Sequence, residues 1–305
     1  NNFDVIYSNP KMKKSNSNSI LPSIIENSMQ CISFNENINI DISKTDIIFT
    51  DKHIINSEQF NRNLLRQIFL RSQQIMYVIN KSLTSNKALF NNKLLEDKIF
   101  GLYFHTPSTR TRCSFETAIL RLGGKVVNIN SQEASVQKGE TFHDTLKTLE
   151  SYFDGLIIRS PNTELLRDYQ NEIDIKMINA GDYLEHPTQA LLDLFTIRQE
   201  LGTVNNLKIA IVGDLLHSRT IFSLVKMLLN YNVKFYFVFE ENSNKELHPE
   251  LTKYIKSFLD KKMKNKNMEI NTQFIDIVYE TDINKVIPVV DVIYMTRNQK
   301  ERQNM

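Results

Sequence analysis

Cysteine is scarce in this chain of 305 residues: only Cys31 and Cys113 occur, far apart. Their spacing matches neither a zinc site nor a disulfide framework, which argues against a metal centre and fits a reducing compartment. An excess of one charge is also lacking, because 37 Lys and Arg stand against 35 Asp and Glu. Without a long-range basic field, nothing concentrates nucleic acid or an anionic membrane surface. No apolar run approaches the roughly 20 residues that cross a bilayer. No internal repeat is visible, and no Gly-x-Gly-x-x-Gly follows the strand-like residues 208–212, so a dinucleotide-binding oxidoreductase carries little weight. These absences leave a soluble protein whose partners are small molecules or other proteins.

What is present is apolar material for more than one core. Hydrophobic residues make up 41% of the chain and aromatics 10%, enough for two α/β domains. Residues 1–50 are rich in Asn, Ser and Lys and read as a flexible extension. They hold no secretory apolar region, and a removed targeting segment ahead of Asn1 stays compatible with them.

From His53 onward, short apolar runs alternate with segments of helical period, the pattern of mainly parallel sheets flanked by helices. The first domain is expected to hold strands at 99–104, 126–129, 156–158 and 177–179. Helices are expected at 59–83, 109–122, 142–153 and 164–170. The helix over 109–122 sets Phe115, Ala118, Ile119 and Leu122 on one face and stops at Gly123-Gly124. Pro187 opens a long helix to about Glu200, and Gly202 to Asn206 follows it as a linker. Beyond lie strands at 208–212, 233–239, 269–275 and 292–295, with helices at 219–230 and 250–259. The basic run 261–266 reads as a solvated turn.

Several segments carry chemistry. Ser108-Thr109-Arg110-Thr111-Arg112 follows a strand and Pro107 and opens an amphipathic helix. Hydroxyls, a guanidinium and backbone N–H groups then meet at a helix N-terminus, a natural phosphate cradle. Alone, the same segment reads more readily as a cap with two solvated arginines. Ser135-Val136-Gln137-Lys138-Gly139-Glu140-Thr141 suits a mobile positive charge, or an ordinary surface loop. Arg159 stands at the carboxyl end of a strand, the edge where α/β sheets bind ligands. His186, in His186-Pro187-Thr188-Gln189, could simply cap a helix. Arg219 and Arg297 each follow a strand, and two fixed guanidiniums suit a dicarboxylate, although most arginines merely pair with surface acids.

Taken in order over about 53–302, these segments resemble the transcarbamoylase family. The resemblance includes Phe115-Glu116-Thr117-Ala118 after the phosphate loop, Gly213-Asp214-Leu215-Leu216-His217-Ser218-Arg219-Thr220, and Tyr294-Met295-Thr296-Arg297-Asn298-Gln299-Lys300-Glu301-Arg302. Ornithine carbamoyltransferase shares the phosphate loop and a His-Pro segment but lacks the Lys-Gly-Glu-Thr loop and the Thr-Arg-x-Gln-x-Glu-Arg run. Those two point to the family's aspartate branch.

The resemblance implies transfer of the carbamoyl group of carbamoyl phosphate to L-aspartate, an early step of de novo pyrimidine biosynthesis, in the cytoplasm and without a cofactor. It implies that Ser108, Thr109, Arg110 and Thr111 hold phosphate, that Arg159, His186 and Thr111 surround the carbonyl oxygen, and that Gln189 reads the carbamoyl NH2. It also puts Lys138, Arg219, Arg297 and Gln299 on aspartate, with Lys138 delivered to a neighbouring subunit's site, hence a homotrimer. Ala134 stands where the family often has a serine, leaving the hydroxyl to Ser135. The implied organisation is a carbamoyl phosphate-binding domain over 51–186, a hinge helix and linker over 187–206, and an aspartate-binding domain over 207–305. The family continues into a His-Pro-Leu-Pro-Arg segment and terminal helices, so the second domain is expected to be incomplete at Met305. Two other readings are a different transcarbamoylase, such as the ornithine enzyme, and a non-catalytic carbamoyl phosphate-binding homologue.

Overall fold

The computed structural model describes residues 5–8, 51–85, 94–130, 139–161, 164–240, 246–264 and 275–297. In chain order the elements are β1 (Val5–Ser8), α1 (Arg62–Ser85), β2 (Ile99–Phe104), α2 (Thr109–Arg121), β3 (Lys125–Asn130), α3 (Phe142–Glu150), β4 (Gly155–Arg159), β5 (Lys176–Asn179) and α4 (Pro187–Leu201). They continue with β6 (Leu207–Val212), α5 (Arg219–Leu228), β7 (Val233–Val238), α6 (Pro249–Lys264), β8 (Ile275–Glu280), α7 (Ile283–Val286) and β9 (Val292–Met295). Two compact units divide the chain, residues 40–189 and residues 1–39 with 190–305, so the boundary falls inside α4. Among the described residues no helix is long and apolar enough to cross a membrane.

The 40–189 unit is built on a sheet of order β3-β2-β4-β5, parallel throughout. All five residues of β4 are buried, as expected of a strand covered on both faces. Its side chains alternate between two cores. Leu156 and Ile158 join Tyr103, Leu146 of α3 and Met177, while Ile157 joins Leu102, Phe104 and Ile119 of α2. Phe115 packs against the second core. Ala118, expected on the same face, is exposed.

The 190–305 unit holds a five-stranded sheet of order β1-β9-β6-β7-β8, parallel except for β1. Helix α5 is buried from Ile221 through Leu228. That stretch includes Lys226, whose Nζ lies 4.5 Å from the ring centre of Phe222 and 4.7 Å from that of Tyr254. Two aromatic faces thus replace part of the water the ammonium gives up.

Five expectations need correction. The basic run 261–266, expected as a solvated turn, begins inside a helix, since residues 261–264 are the last of α6. The segment 164–170 forms only a 3-10 turn, Leu166–Asp168, because the Leu166 N–H turns to the Asp182 carboxylate at 3.4 Å instead of a helical carbonyl. The helix expected to reach Phe153 ends at Glu150, since Phe153 packs into the core. The strand expected at 269–275 lies at Ile275–Glu280, in the register Val233↔Ile275 to Val238↔Glu280. Residues 269–274 lie outside the described residues. Finally, Val5–Ser8, expected within a flexible extension, forms a strand antiparallel to β9.

Candidate active site

Parallel strands bring their carboxyl ends to one edge, and in the 40–189 unit Phe104 pairs with Arg159 and Ile158 with Asn179. Three of the candidate segments leave from this edge: the phosphate loop after β2, Arg159 itself, and the loop from β5 to His186. The His105 N–H donates to the Arg159 carbonyl at 2.9 Å, fastening the start of the phosphate loop to β4.

Ser108 is the N-cap of α2, with extended backbone and no hydrogen bond from its side chain to the cap. Ser108 and Thr111 are half-buried, and Thr109 and Arg110 are exposed. This first turn holds no acidic residue to offset the positive end of the helix dipole. Arg112 has a structural task instead, donating to Glu116 at 3.1 Å and Asn128 at 3.3 Å.

Arg159 is 8% exposed and His186 4%. Arg159 Nε–H donates to the Ala180 carbonyl at 3.1 Å, and its Nη2 lies 3.4 Å from His186 Nε2. A guanidinium only donates, so Nε2 accepts and the imidazole proton sits on Nδ1, 3.4 Å from Thr188 Oγ1. Gln189, in the first turn of α4, donates its N–H to the His186 carbonyl at 3.1 Å. A buried guanidinium and a buried imidazole thus face each other where developing negative charge could be held.

In the 190–305 unit, β6 and β9 are adjacent, with Val212 opposite Met295 and Thr296 N donating to the Val212 carbonyl at 3.0 Å. Arg219 at the start of α5 and Arg297 after β9 therefore leave from neighbouring strand ends. Arg219 is half-buried and Arg297 exposed. Asp214 shapes the loop before Arg219, accepting at 2.9 Å from the His217 N–H and at 2.9 Å from His217 Nδ1. Tyr294 donates to Asp193 of α4 at 3.1 Å. Ser135, Lys138 and Gln299 lie outside the described residues.

Sequence reasoning missed a second set of residues, Ser57, Asn179, Asp182 and Glu185, all buried around the loop to His186. The available signal was Asp182 itself, a turn-forming residue just past a strand end. Burial pushes its carboxyl up to about 6, against the pull of backbone N–H groups from Glu185 and Leu184.

The geometry is that of a carbamoyltransferase, and the family described as aspartate/ornithine carbamoyltransferase, carbamoyl-P binding domain, matches residues 52–199. An aspartate carbamoyltransferase catalytic subunit of Methanosphaera stadtmanae is 39% identical over 237 residues, covering 76% of this chain and 72% of the relative. The multifunctional protein pyr1-3 of Dictyostelium discoideum is 41% identical over 252 residues, 82% of this chain but only 10% of that much longer protein. Among solved structures, aspartate transcarbamoylase from Trypanosoma cruzi in complex with carbamoyl aspartate and phosphate aligns with a TM-score of 0.72 and 32% identity, over 83% of this chain and 77% of that one. This chain belongs to the aspartate carbamoyltransferase family.

Proposed function

We propose that the chain transfers the carbamoyl group of carbamoyl phosphate to the amine of L-aspartate, releasing phosphate and N-carbamoyl-L-aspartate, as an early step of pyrimidine biosynthesis. The observation that carries this reading is the buried Arg159–His186 contact at 3.4 Å, on the sheet edge that also launches the phosphate-loop helix. Residues 51–186 would form the carbamoyl phosphate-binding domain, 187–206 the hinge helix and linker, and 207–305 the aspartate-binding domain.

Phosphate is held by Ser108, Thr109, Arg110 and Thr111 at the N-terminus of α2, with Lys138 delivered by a neighbouring subunit. The carbonyl oxygen enters between Arg159 Nη2 and His186 Nε2, with Thr111 as a third donor, and Gln189 reads the carbamoyl NH2. For His186 to donate, its proton must move to Nε2, where Thr188 Oγ1–H can then serve Nδ1. Arg219, Arg297 and Gln299 clamp the two carboxylates of aspartate. The amine nitrogen bonds to the carbonyl carbon, the bond from that carbon to the phosphate oxygen breaks, and the departing phosphate takes the amine proton. The cations lower the repulsion between two anionic substrates. Alignment of the pair is worth up to ~7–11 kcal/mol in well-ordered systems.

A homotrimer with shared sites is supported by a sheet edge at β3 that is unpaired among the described residues and by apolar side chains beside it, Val127 and Leu120, at 45% and 55% exposure. A cytoplasmic setting suits the exposed thiol of Cys113. The test is product formation from carbamoyl phosphate with aspartate or with ornithine as acceptor. Carbamoyl aspartate as the dominant product supports the reading. Citrulline, or binding of carbamoyl phosphate without turnover, would replace it.

A further inference from the structure

The seven residues 180–186 carry a group of the Arg159–His186 pair's surroundings at each end. At the start, the Ala180 carbonyl accepts from Arg159 Nε at 3.1 Å. At the end stands His186. Whatever sets the shape of this loop therefore sets how the guanidinium meets the imidazole.

That shape is held by polar groups taken out of water. Asp182 Oδ1 accepts from the Leu184 N–H at 2.8 Å and the Glu185 N–H at 2.7 Å. Its Oδ2 accepts from Asn179 Nδ2 at 2.9 Å and the Leu166 N–H at 3.4 Å. Asn179 Oδ1 accepts from Gly181 N at 2.8 Å, where the backbone takes φ +110°. The Asp182 N–H closes the turn on the Glu185 carbonyl at 3.0 Å.

The loop is also fastened from outside. Glu185 Oε2 accepts from both the N–H and the hydroxyl of Ser57, at 3.0 and 2.7 Å. Asn179 Nδ2 donates to the Ile55 carbonyl at 2.8 Å. The segment bearing Ile55 and Ser57 is itself clipped to β5. Ile54 N donates to the Met177 carbonyl and Asn179 N to the Ile54 carbonyl, both at 2.8 Å. Met177 N donates to His53 Nδ1 at 3.1 Å, leaving His53 Nε2–H for the Gln170 carbonyl at 3.0 Å.

Asn179, Asp182, Glu185 and Ser57 are all buried, at 0 to 5% exposure. Burying two carboxylates within four residues of each other is a poor way to gain stability, since desolvation offsets most of what their hydrogen bonds return. It is an effective way to impose one backbone geometry, because apolar packing is less directional than bonds to fixed lone pairs.

We infer that Asp182 and Glu185 are positioning residues: with Ser57 as the external anchor, they lock the 180–186 loop so that Arg159 and His186 meet in the separation that receives the carbonyl oxygen. This rests on the proposed role of the Arg159–His186 pair.

The hydrogen bonds make the two carboxylates respond differently to isosteric change. Asp182 uses both oxygens as acceptors, so Asp182→Asn turns an NH2 toward groups that themselves donate. Both Ser57 donors reach a single oxygen of Glu185, so Glu185→Gln can keep its carbonyl there. The experiment measures kcat, the KM for carbamoyl phosphate, and circular dichroism on the full chain for Asp182→Asn, Glu185→Gln, Glu185→Ala, Ser57→Ala, His186→Ala and the double variant Asp182→Asn with His186→Ala.

Asp182→Asn and Glu185→Ala should lose about tenfold to a hundredfold in kcat, the scale of a misplacement near 1 Å, with KM changed less than about threefold. Glu185→Gln should rescue kcat to near wild type. The double variant should lose clearly less than the product of the two single losses, since with His186 gone only Arg159 is left for the loop to position. A merely structural role predicts the full product of the two losses. Should Asp182→Asn fail to fold, Ser57→Ala decides: a kcat loss of several-fold at unchanged circular dichroism supports the lock, and wild-type kcat overturns it. Near-normal turnover of His186→Ala would overturn the proposed oxyanion site and the lock with it. A crippled His186→Ala beside unimpaired Asp182→Asn would overturn the lock alone.

Discussion

A side chain on Gly213 would place its Cβ 2.3 Å from the carbonyl oxygen of Thr296, so the ends of β6 and β9 approach as closely as they do only because residue 213 is glycine. Its φ of +115° is one that other residues rarely adopt. The contact matters because the loops to Arg219 and Arg297 start on either side of it.

Gly213→Ala should therefore act on both stability and aspartate. Backbone strain and the close contact together are expected to destabilise by about 2–3 kcal/mol, read as a lowered urea midpoint. The KM for aspartate should rise more than the KM for carbamoyl phosphate. A variant with wild-type midpoint and wild-type aspartate KM would show that the strand ends tolerate separation.

Tyr294 and Asp193 make a second test in the same unit. Both are buried, and Tyr294→Phe removes the donor 3.1 Å from a carboxylate oxygen. Leaving that oxygen short of a partner should cost about 1–3 kcal/mol. A change below about 0.5 kcal/mol in denaturant unfolding would mean the carboxylate is satisfied from elsewhere.

Asp182 makes stability depend on pH in a definite direction. Burial lifts its carboxyl to about 6 in the folded protein, above the unfolded value of about 3.9. A group raised in this way stabilises fully below the unfolded value, and its contribution is lost as pH rises through 6. The difference is of order 3 kcal/mol. Urea unfolding between pH 4 and 8 should show wild-type stability falling relative to Asp182→Asn across that window. Parallel curves would mean that the carboxyl titrates where an ordinary aspartate does.

Shared sites predict complementation between subunits. Chains inactivated by Arg110→Ala, mixed and reassembled with chains inactivated by Lys138→Ala, should recover part of wild-type activity, because some interfaces join an intact Arg110 to an intact Lys138. Mixed assemblies of verified composition that stay inactive would confine each site to one chain.

The phosphate-loop helix was legible in the sequence because its cues are local: Ser108 at the cap, Phe115 and Ile119 one turn apart, and glycines at the stop. The strands ending at Phe104, Arg159 and Asn179 were legible as short apolar runs. The strand expected at 269–275 was misplaced because Ile270, Thr272 and Phe274 mimic a strand's alternation, whereas pairing with β7 selects Ile275–Glu280. The 164–170 segment has helical composition, yet Asp182, sixteen residues on, takes the N–H of Leu166. The Asp182 and Glu185 lock was invisible for the same reason. Polar residues in a loop read as solvated, and only the folded chain shows that Ser57 and Asn179 enclose them.

The most direct test of the oxyanion site is the kcat for carbamoyl aspartate formation by Arg159→Ala and His186→Ala, each with phosphate affinity measured alongside. Both variants should bind phosphate nearly as wild type does while turning over at least about a hundredfold more slowly, the scale of losing one donor to developing charge. Turnover within a few-fold of wild type in either would contradict the account, because the buried pair at 3.4 Å would then have no part in the chemistry.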